Sequence, residues 1–140
     1  MVNLITGPKG SGKTQVMIDL ANEKVKTSHG NVVLIKKSKR HTATADLNIR
    51  VICMESYPDI LSQDEFVGFL YGMVAGNHDI DHIFIDGTLK LANNTIDNLP
   101  DLLASIQKIS LENNIDFFVS IAAEKKDLSA IDEAQYNFIS

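Results

Sequence analysis

Eight consecutive residues near the start of the chain, Gly7-Pro8-Lys9-Gly10-Ser11-Gly12-Lys13-Thr14, set three glycines, a terminal lysine and a hydroxyl at fixed spacing. Gly7, Gly10 and Gly12 permit a tight turn whose backbone N–H groups point inward, making a cradle for anions. Lys13 adds a charge that reaches the outer oxygens of a polyphosphate, and Thr14 adds a hydroxyl of the kind that ligates Mg²⁺. The predicted chemistry is the grip of a nucleoside triphosphate, with Gly7, Pro8, Lys9, Gly10, Ser11, Gly12, Lys13, Thr14 and Gln15 as the contact segment.

Such a loop holds its shape only between a strand and a helix. Upstream, Val2, Leu4 and Ile5 make a short buried strand over Val2 to Thr6. Downstream, Val16, Met17, Leu20, Ala21 and Val25 recur at helical spacing, with Asp19, Asn22, Glu23 and Lys26 on the other face. The amino end of that helix adds partial positive charge at the loop.

A second constellation, His82-Ile83-Phe84-Ile85-Asp86, is an apolar strand ending in a carboxylate. It resembles the Walker B element of P-loop NTPases, which implies that Asp86 joins Thr14 in holding Mg²⁺; an Asp-Gly turn with Gly87 is the alternative. Many hydrolytic members of that class carry a glutamate directly after the aspartate, where it orients an attacking water. Here that position is Gly87. Glu55, after the strand Arg50 to Met54, and Glu124, after the strand Asp116 to Ala122, are the candidate replacements, unless both are plain surface carboxylates. Ser120 is either a sensor of the γ-phosphate or a buried hydroxyl bonded to backbone. Catalytic candidates are thus Lys13, Asp86, Glu55, Glu124 and Arg40.

Arg40 belongs to the run Lys36-Lys37-Ser38-Lys39-Arg40-His41. That run reads as a solvated cationic loop or, if it approaches the phosphates, as a clamp, an arginine finger or a polyanion contact. The net charge of −5 argues against general attraction to nucleic acid. No run is apolar enough to cross a membrane, and the first strand begins at once, so a cytoplasmic location is expected. Cys53 stands alone in an apolar pattern and reads as a core residue, with no disulfide or cysteine metal cluster available. His29, His78 and His82 lack metal-ligand spacing and read as surface or strand-end residues.

With 140 residues, 44% of them hydrophobic, the chain has material for one core and one domain. Strand and helix patterns alternate without repeats, which predicts an α/β three-layer sandwich around a mostly parallel sheet of about five strands. Those strands are Val2 to Thr6, Asn31 to Lys36, Arg50 to Met54, His82 to Asp86 and Asp116 to Ala122. Ser62-Gln63-Asp64-Glu65 reads as a capping box before Phe66, Val67, Leu70, Met73 and Val74. Pro100 opens a helix burying Leu99, Leu102, Leu103, Ile106 and Ile109. Gly68, Gly72 and Gly76 align into a bare groove expected to pack on the chain's own sheet, or else on a partner. The tail from Leu128 to Phe138 is either an amphipathic helix or, over Tyr136 to Ile139, an edge strand.

Taken together, these residues resemble the minimal bacterial P-loop NTPases, small Walker A ATP-binding proteins. The order of loop, basic stretch and Asp-terminated strand is also similar to the core of thymidine kinase, although Gly87 and the solitary Cys53 supply neither its glutamate nor its zinc lid. The resemblance implies ATP and Mg²⁺ as ligands; no Asn-Lys-x-Asp guanine-reading motif is present. It leaves open a nucleotide-dependent binding module or slow ATPase, a phosphoryl-transfer enzyme of the nucleoside kinase kind, and an ATPase completed by a protein partner or homo-oligomer with Arg40 acting in trans.

Overall fold

A computed structural model describes residues 1–40, 42–91 and 95–139, so His41 of the basic run lies outside the described residues. The apolar runs become β1 (Val2–Gly7), β2 (Asn31–Lys36), β3 (Ile49–Cys53), β4 (Ile80–Ile85) and β5 (Asp116–Ala122). A short β6 (Asn137–Ile139) joins them at the edge beside β1. The sheet therefore has six strands, in the order β3-β2-β4-β5-β1-β6, and every pairing is parallel. Of the two readings of the tail, the edge strand is the observed one, preceded by single turns of 3₁₀ helix at Lys125–Asp127 and Glu133–Gln135.

Parallel neighbours need crossovers, supplied by α1 (Lys13–Thr27), α2 (Gln63–Gly76), the single turn α3 (Thr88–Leu91) and α4 (Leu99–Asn113). Because strand side chains alternate, consecutive residues feed opposite faces. Leu34, Phe84 and Phe118 pack with Met17, Ile18 and Ala21 of α1, while Ile35, Ile85 and Val119 pack with α2 and α4. Phe84 and Phe118 stack across the β4–β5 pair at 4.5 Å between ring centres. The result is the three-layer α/β sandwich.

Local signals account for the helix ends. Ser62 Oγ accepts from Glu65 N at 3.1 Å and Glu65 returns a carboxylate to Ser62 N at 2.8 Å, closing the capping box of α2. Pro100 sits in the first turn of α4, whose Leu99, Leu102, Leu103, Ile106 and Ile109 are all buried.

Three expectations are corrected. Val16 is 41% exposed, and Ile18 takes the core position in its place, because α1 is rotated so that residues 17, 18 and 21 face the sheet. Gly68, Gly72 and Gly76 do not pack on the sheet: all three are exposed, and a Cβ added at any of them would meet nothing within 4 Å. Phe66, Leu70 and Val74 form the buried face of α2 instead. His82 is not a free surface residue. Its Nδ1 lies 2.7 Å from Asp81 Oδ1, and Ser28 Oγ and Gly30 N also donate to Asp81. Burial pushes the Asp81 carboxyl up, but these hydrogen bonds and the charge of His82 hold it below the usual aspartate value overall. Cys53 is buried and free.

Candidate functional site

The carboxyl ends of β1, β2, β4 and β5 converge on a cleft of about 560 Å³. In open parallel sheets this is the rim where ligands settle, since the crossover loops leave a crevice there. The loop from Gly7 to Thr14 forms one wall. Gly10 and Gly12 adopt φ of 82° and 86°, a left-handed backbone that glycine takes without steric penalty. Gly12 caps α1 with no side-chain hydrogen bond, and no acidic residue occupies the first turn. The first N–H groups of α1 thus lack a protein side-chain acceptor and carry the positive end of the helix dipole.

Lys13 folds back over the loop, with Nζ donating to Pro8 O at 2.7 Å and to Ser11 Oγ at 3.3 Å. Desolvation lowers its pKa from the ordinary lysine value, an effect opposed by the charge of Asp86. Thr14 Oγ1 donates to Asp86 Oδ2 at 2.9 Å, and Ser120 Oγ donates to Asp86 Oδ1 at 2.9 Å. Ser120 Oγ in turn accepts from Gly87 N at 2.8 Å. Asp86 lies one residue past β4, and its N–H is tied to Ile35 O of β2 at 2.9 Å. Three strands therefore fix one carboxylate.

Thr14 and Asp86 present hard oxygens in direct contact, a donor set suited to a small divalent cation that retains most of its water. Among the described residues no group of three or more His, Cys, Asp or Glu is arranged as a metal site, so any ion here would depend on ligand oxygens and water as well. Gly87 has φ of 76° and opens the turn of α3, with Lys90 N and Leu91 N both donating to its carbonyl. A glutamate at 87 would meet a left-handed backbone that costs about 1–2 kcal/mol for a residue with a Cβ.

The remaining candidates divide. Lys9, Gly10, Gly12, Lys13, Thr14 and Gln15 line the cleft, as do Arg40, Asp86 and Ser120. Glu55 and Glu124 do not. Glu55 is exposed in the 3₁₀ turn after β3, at the far edge of the sheet, and Glu124 is paired with Lys126 at 3.1 Å. Among the described residues the one carboxylate lining the cleft is Asp86. Sequence reasoning missed Lys36, Lys37 and Lys90 as individual cleft residues. The position of Lys36 as the last residue of an apolar strand was the available signal for it.

Chemically, the arrangement is a glycine-rich anion cradle facing a carboxylate, inside a cationic rim. No family model matches the chain, and no curated protein matches its sequence. Its backbone does match solved structures. One is the crystal structure of the flagellar accessory protein FlaH from Methanocaldococcus jannaschii, with a TM-score of 0.62 over 95% of this chain. The two share an α/β fold. Identity to that protein is 13%, so the likeness concerns the fold alone, and the chain spans 63% of its length. A shared fold is not a shared function, and the chemistry belongs to the site. No helix among the described residues is long and apolar enough to cross a membrane.

Proposed function

We propose that this chain binds a nucleoside triphosphate, ATP by preference, together with Mg²⁺ in the cleft at the carboxyl ends of β1, β4 and β5. The observation that carries the reading is the 2.9 Å contact between Thr14 and Asp86, residues far apart in sequence, at the mouth of an uncapped glycine-rich loop. The N–H groups of Gly10 to Thr14 and the Lys13 ammonium would hold the β- and γ-phosphates. Thr14 and Asp86 would hold the ion, whose chemistry is neutralisation of phosphate oxygens. Lys13 exchanges its bonds to Pro8 and Ser11 for phosphate as the ligand enters.

Among the described residues, none is placed to orient a water for attack in this cleft. Asp86 has a hydroxyl donor on each oxygen, Gly87 cannot replace a glutamate, and Glu55 and Glu124 stand outside the lining. The isolated protein is therefore a slow ATPase or a nucleotide-dependent binding module, turning over far below the enzyme median of about 10 s⁻¹. Arg40 lines its own chain's cleft, a placement that favours a role for it in cis.

Calorimetric titration with Mg²⁺-ATP tests the binding reading, with Lys13→Ala as the comparison. The parent is expected to bind and the variant to lose at least about tenfold in affinity, which is about 1.4 kcal/mol. Equal affinity in the two proteins would refute the phosphate-site assignment.

A further inference from the structure

If the loop grips a triphosphate, as proposed above, the cleft still holds more positive charge than that ligand requires. Among the described residues, Lys9, Lys13, Lys36, Lys37, Arg40 and Lys90 line it against the single carboxylate of Asp86, in a chain whose net charge is −5. A triphosphate with its Mg²⁺ carries about two net negative charges, since its terminal phosphate brings about two and the inner ones about one each. Lys13 and one neighbour neutralise that.

Three of the surplus cations come from one segment, the end of β2 and the turn after it. In the sheet order β4 lies between β2 and the β5–β1 pair, so this segment confronts the glycine-rich loop from the far side of Asp86. Lys36 is the most informative of them. It is only 4% exposed, yet its Nζ donates to a backbone carbonyl, that of Arg40, and among the described residues no carboxylate lies within salt-bridge distance of it. An ammonium has three donors, and a buried cation without a counter-charge is unfavourable unless an anion arrives. Burial lowers the Lys36 pKa from its ordinary value, against the opposing pull of the Asp86 charge.

The carboxylates narrow what that anion does. An alcohol acceptor must lose a proton on attack, and among the described residues no free base lines the cleft to take it. A phosphate acceptor needs none, because its second pKa of about 6 leaves its oxygens ionised at neutral pH. We propose that Lys36, Lys37 and Arg40 form a second anion subsite for a phosphate-bearing acceptor, and that the chain transfers the γ-phosphoryl group to an oxygen of that acceptor's phosphate. A lone pair of the acceptor oxygen forms the new P–O bond while the bond from the γ-phosphorus to the β,γ-bridging oxygen breaks. Those bonding electrons leave on the nucleoside diphosphate, the acceptor becomes a diphosphate, and no proton is transferred. The cations offset the repulsion between two approaching anions, which is the main barrier such a site has to lower.

The test has two arms, both on the full chain. In the first, inorganic pyrophosphate is titrated into protein saturated with Mg²⁺ and the non-hydrolysable analogue AMP-PNP. In the second, γ-labelled ATP is offered with nucleoside monophosphates, inorganic phosphate and, as the alcohol control, thymidine. Expected are a saturable pyrophosphate site on the AMP-PNP complex and label on at least one phosphate acceptor, at least tenfold faster than release to water. Arg40→Gln and Lys37→Ser, both at exposed positions and so compatible with folding, should weaken pyrophosphate binding at least tenfold more than they weaken AMP-PNP binding. AMP-PNP binding without a pyrophosphate site overturns the second subsite and leaves the triphosphate reading standing. Pyrophosphate binding with no label on any phosphate acceptor, or label on thymidine, overturns the transfer step. Failure to bind AMP-PNP overturns the triphosphate reading itself.

Discussion

Ser120→Ala is expected to destabilise the ligand-free protein by about 2–3 kcal/mol, although it removes one oxygen atom. Ser120 is 1% exposed, and its hydroxyl makes two hydrogen bonds: one donated to Asp86 Oδ1 at 2.9 Å, one accepted from Gly87 N at 2.8 Å. A hydrogen bond to a charged group contributes about 1.5–3 kcal/mol, and a neutral one about 1 kcal/mol. Gly87 is half-buried, so water recovers part of the second contribution and the sum settles near the middle of the range. For a chain of this size that corresponds to a melting temperature lower by about 6–10 °C, or a urea midpoint lower by roughly 1 M. Urea titration followed by circular dichroism, without nucleotide, measures it. A loss below about 0.5 kcal/mol would refute the view that Ser120 is what fixes Asp86. The double variant with Asp86→Asn supplies an internal check, since residues in one network should show a coupling of about 0.5–3 kcal/mol instead of adding independently.

Asp86→Asn should cut affinity for ATP at least about tenfold when Mg²⁺ is present and far less when it is absent, because the carboxylate acts through the ion; equal losses in paired titrations would remove Asp86 from the metal shell. Lys36→Met should leave the ligand-free protein as stable as the parent or more so, by up to about 4 kcal/mol, because an apolar group of similar volume replaces a buried cation that has, among the described residues, a carbonyl but no carboxylate within bonding distance. A drop in thermal midpoint would show that the Lys36 ammonium is already compensated without ligand. The Asp81 carboxyl, held below its ordinary value of 3.8, contributes stability that is present above that pH and lost as pH falls through its lower folded value. Ser28→Ala removes part of that depression, so its deficit relative to the parent should be largest near neutrality and shrink below about pH 4; a deficit independent of pH in acid titrations would sink this account.

The parts of the fold that the sequence made legible are those where a local pattern coincides with the tertiary demand. Buried parallel strands need unbroken apolar runs, and Val32 to Ile35 or Ile83 to Ile85 can be little else. The loop from Gly7 to Thr14 is legible because its backbone geometry imposes residue types. What escaped depends on direction. The α1 stripe differs from expectation in one member, Ile18 in place of Val16, because both are β-branched and apolar and only packing selects between them. The glycines of α2 face outward for lack of anything in their own chain to meet. In the basic run after β2 the one sign of which cation is enclosed is that Lys36, unlike Lys37, is the last residue of its strand. His82 reads as a strand end because its partner Asp81 is itself held by Ser28 and Gly30, which lie some fifty positions away in the chain.

The order β3-β2-β4-β5-β1-β6 bears on how the chain acquires its shape during synthesis. β1 is made first, but its neighbours in the sheet are β5 and β6, with Val2 opposite Phe117 and Asn3 opposite Asn137. At about 5–20 residues per second the ribosome needs on the order of ten seconds to deliver β5, and through that interval the apolar β1 has no strand to join. All-parallel sheets dominated by distant pairings also fold slowly once complete. The glycine-rich loop is thus the earliest part of the site to be translated and among the last to be held in place, so a nascent-chain arrest series should show nucleotide-dependent protection only after β5 has emerged.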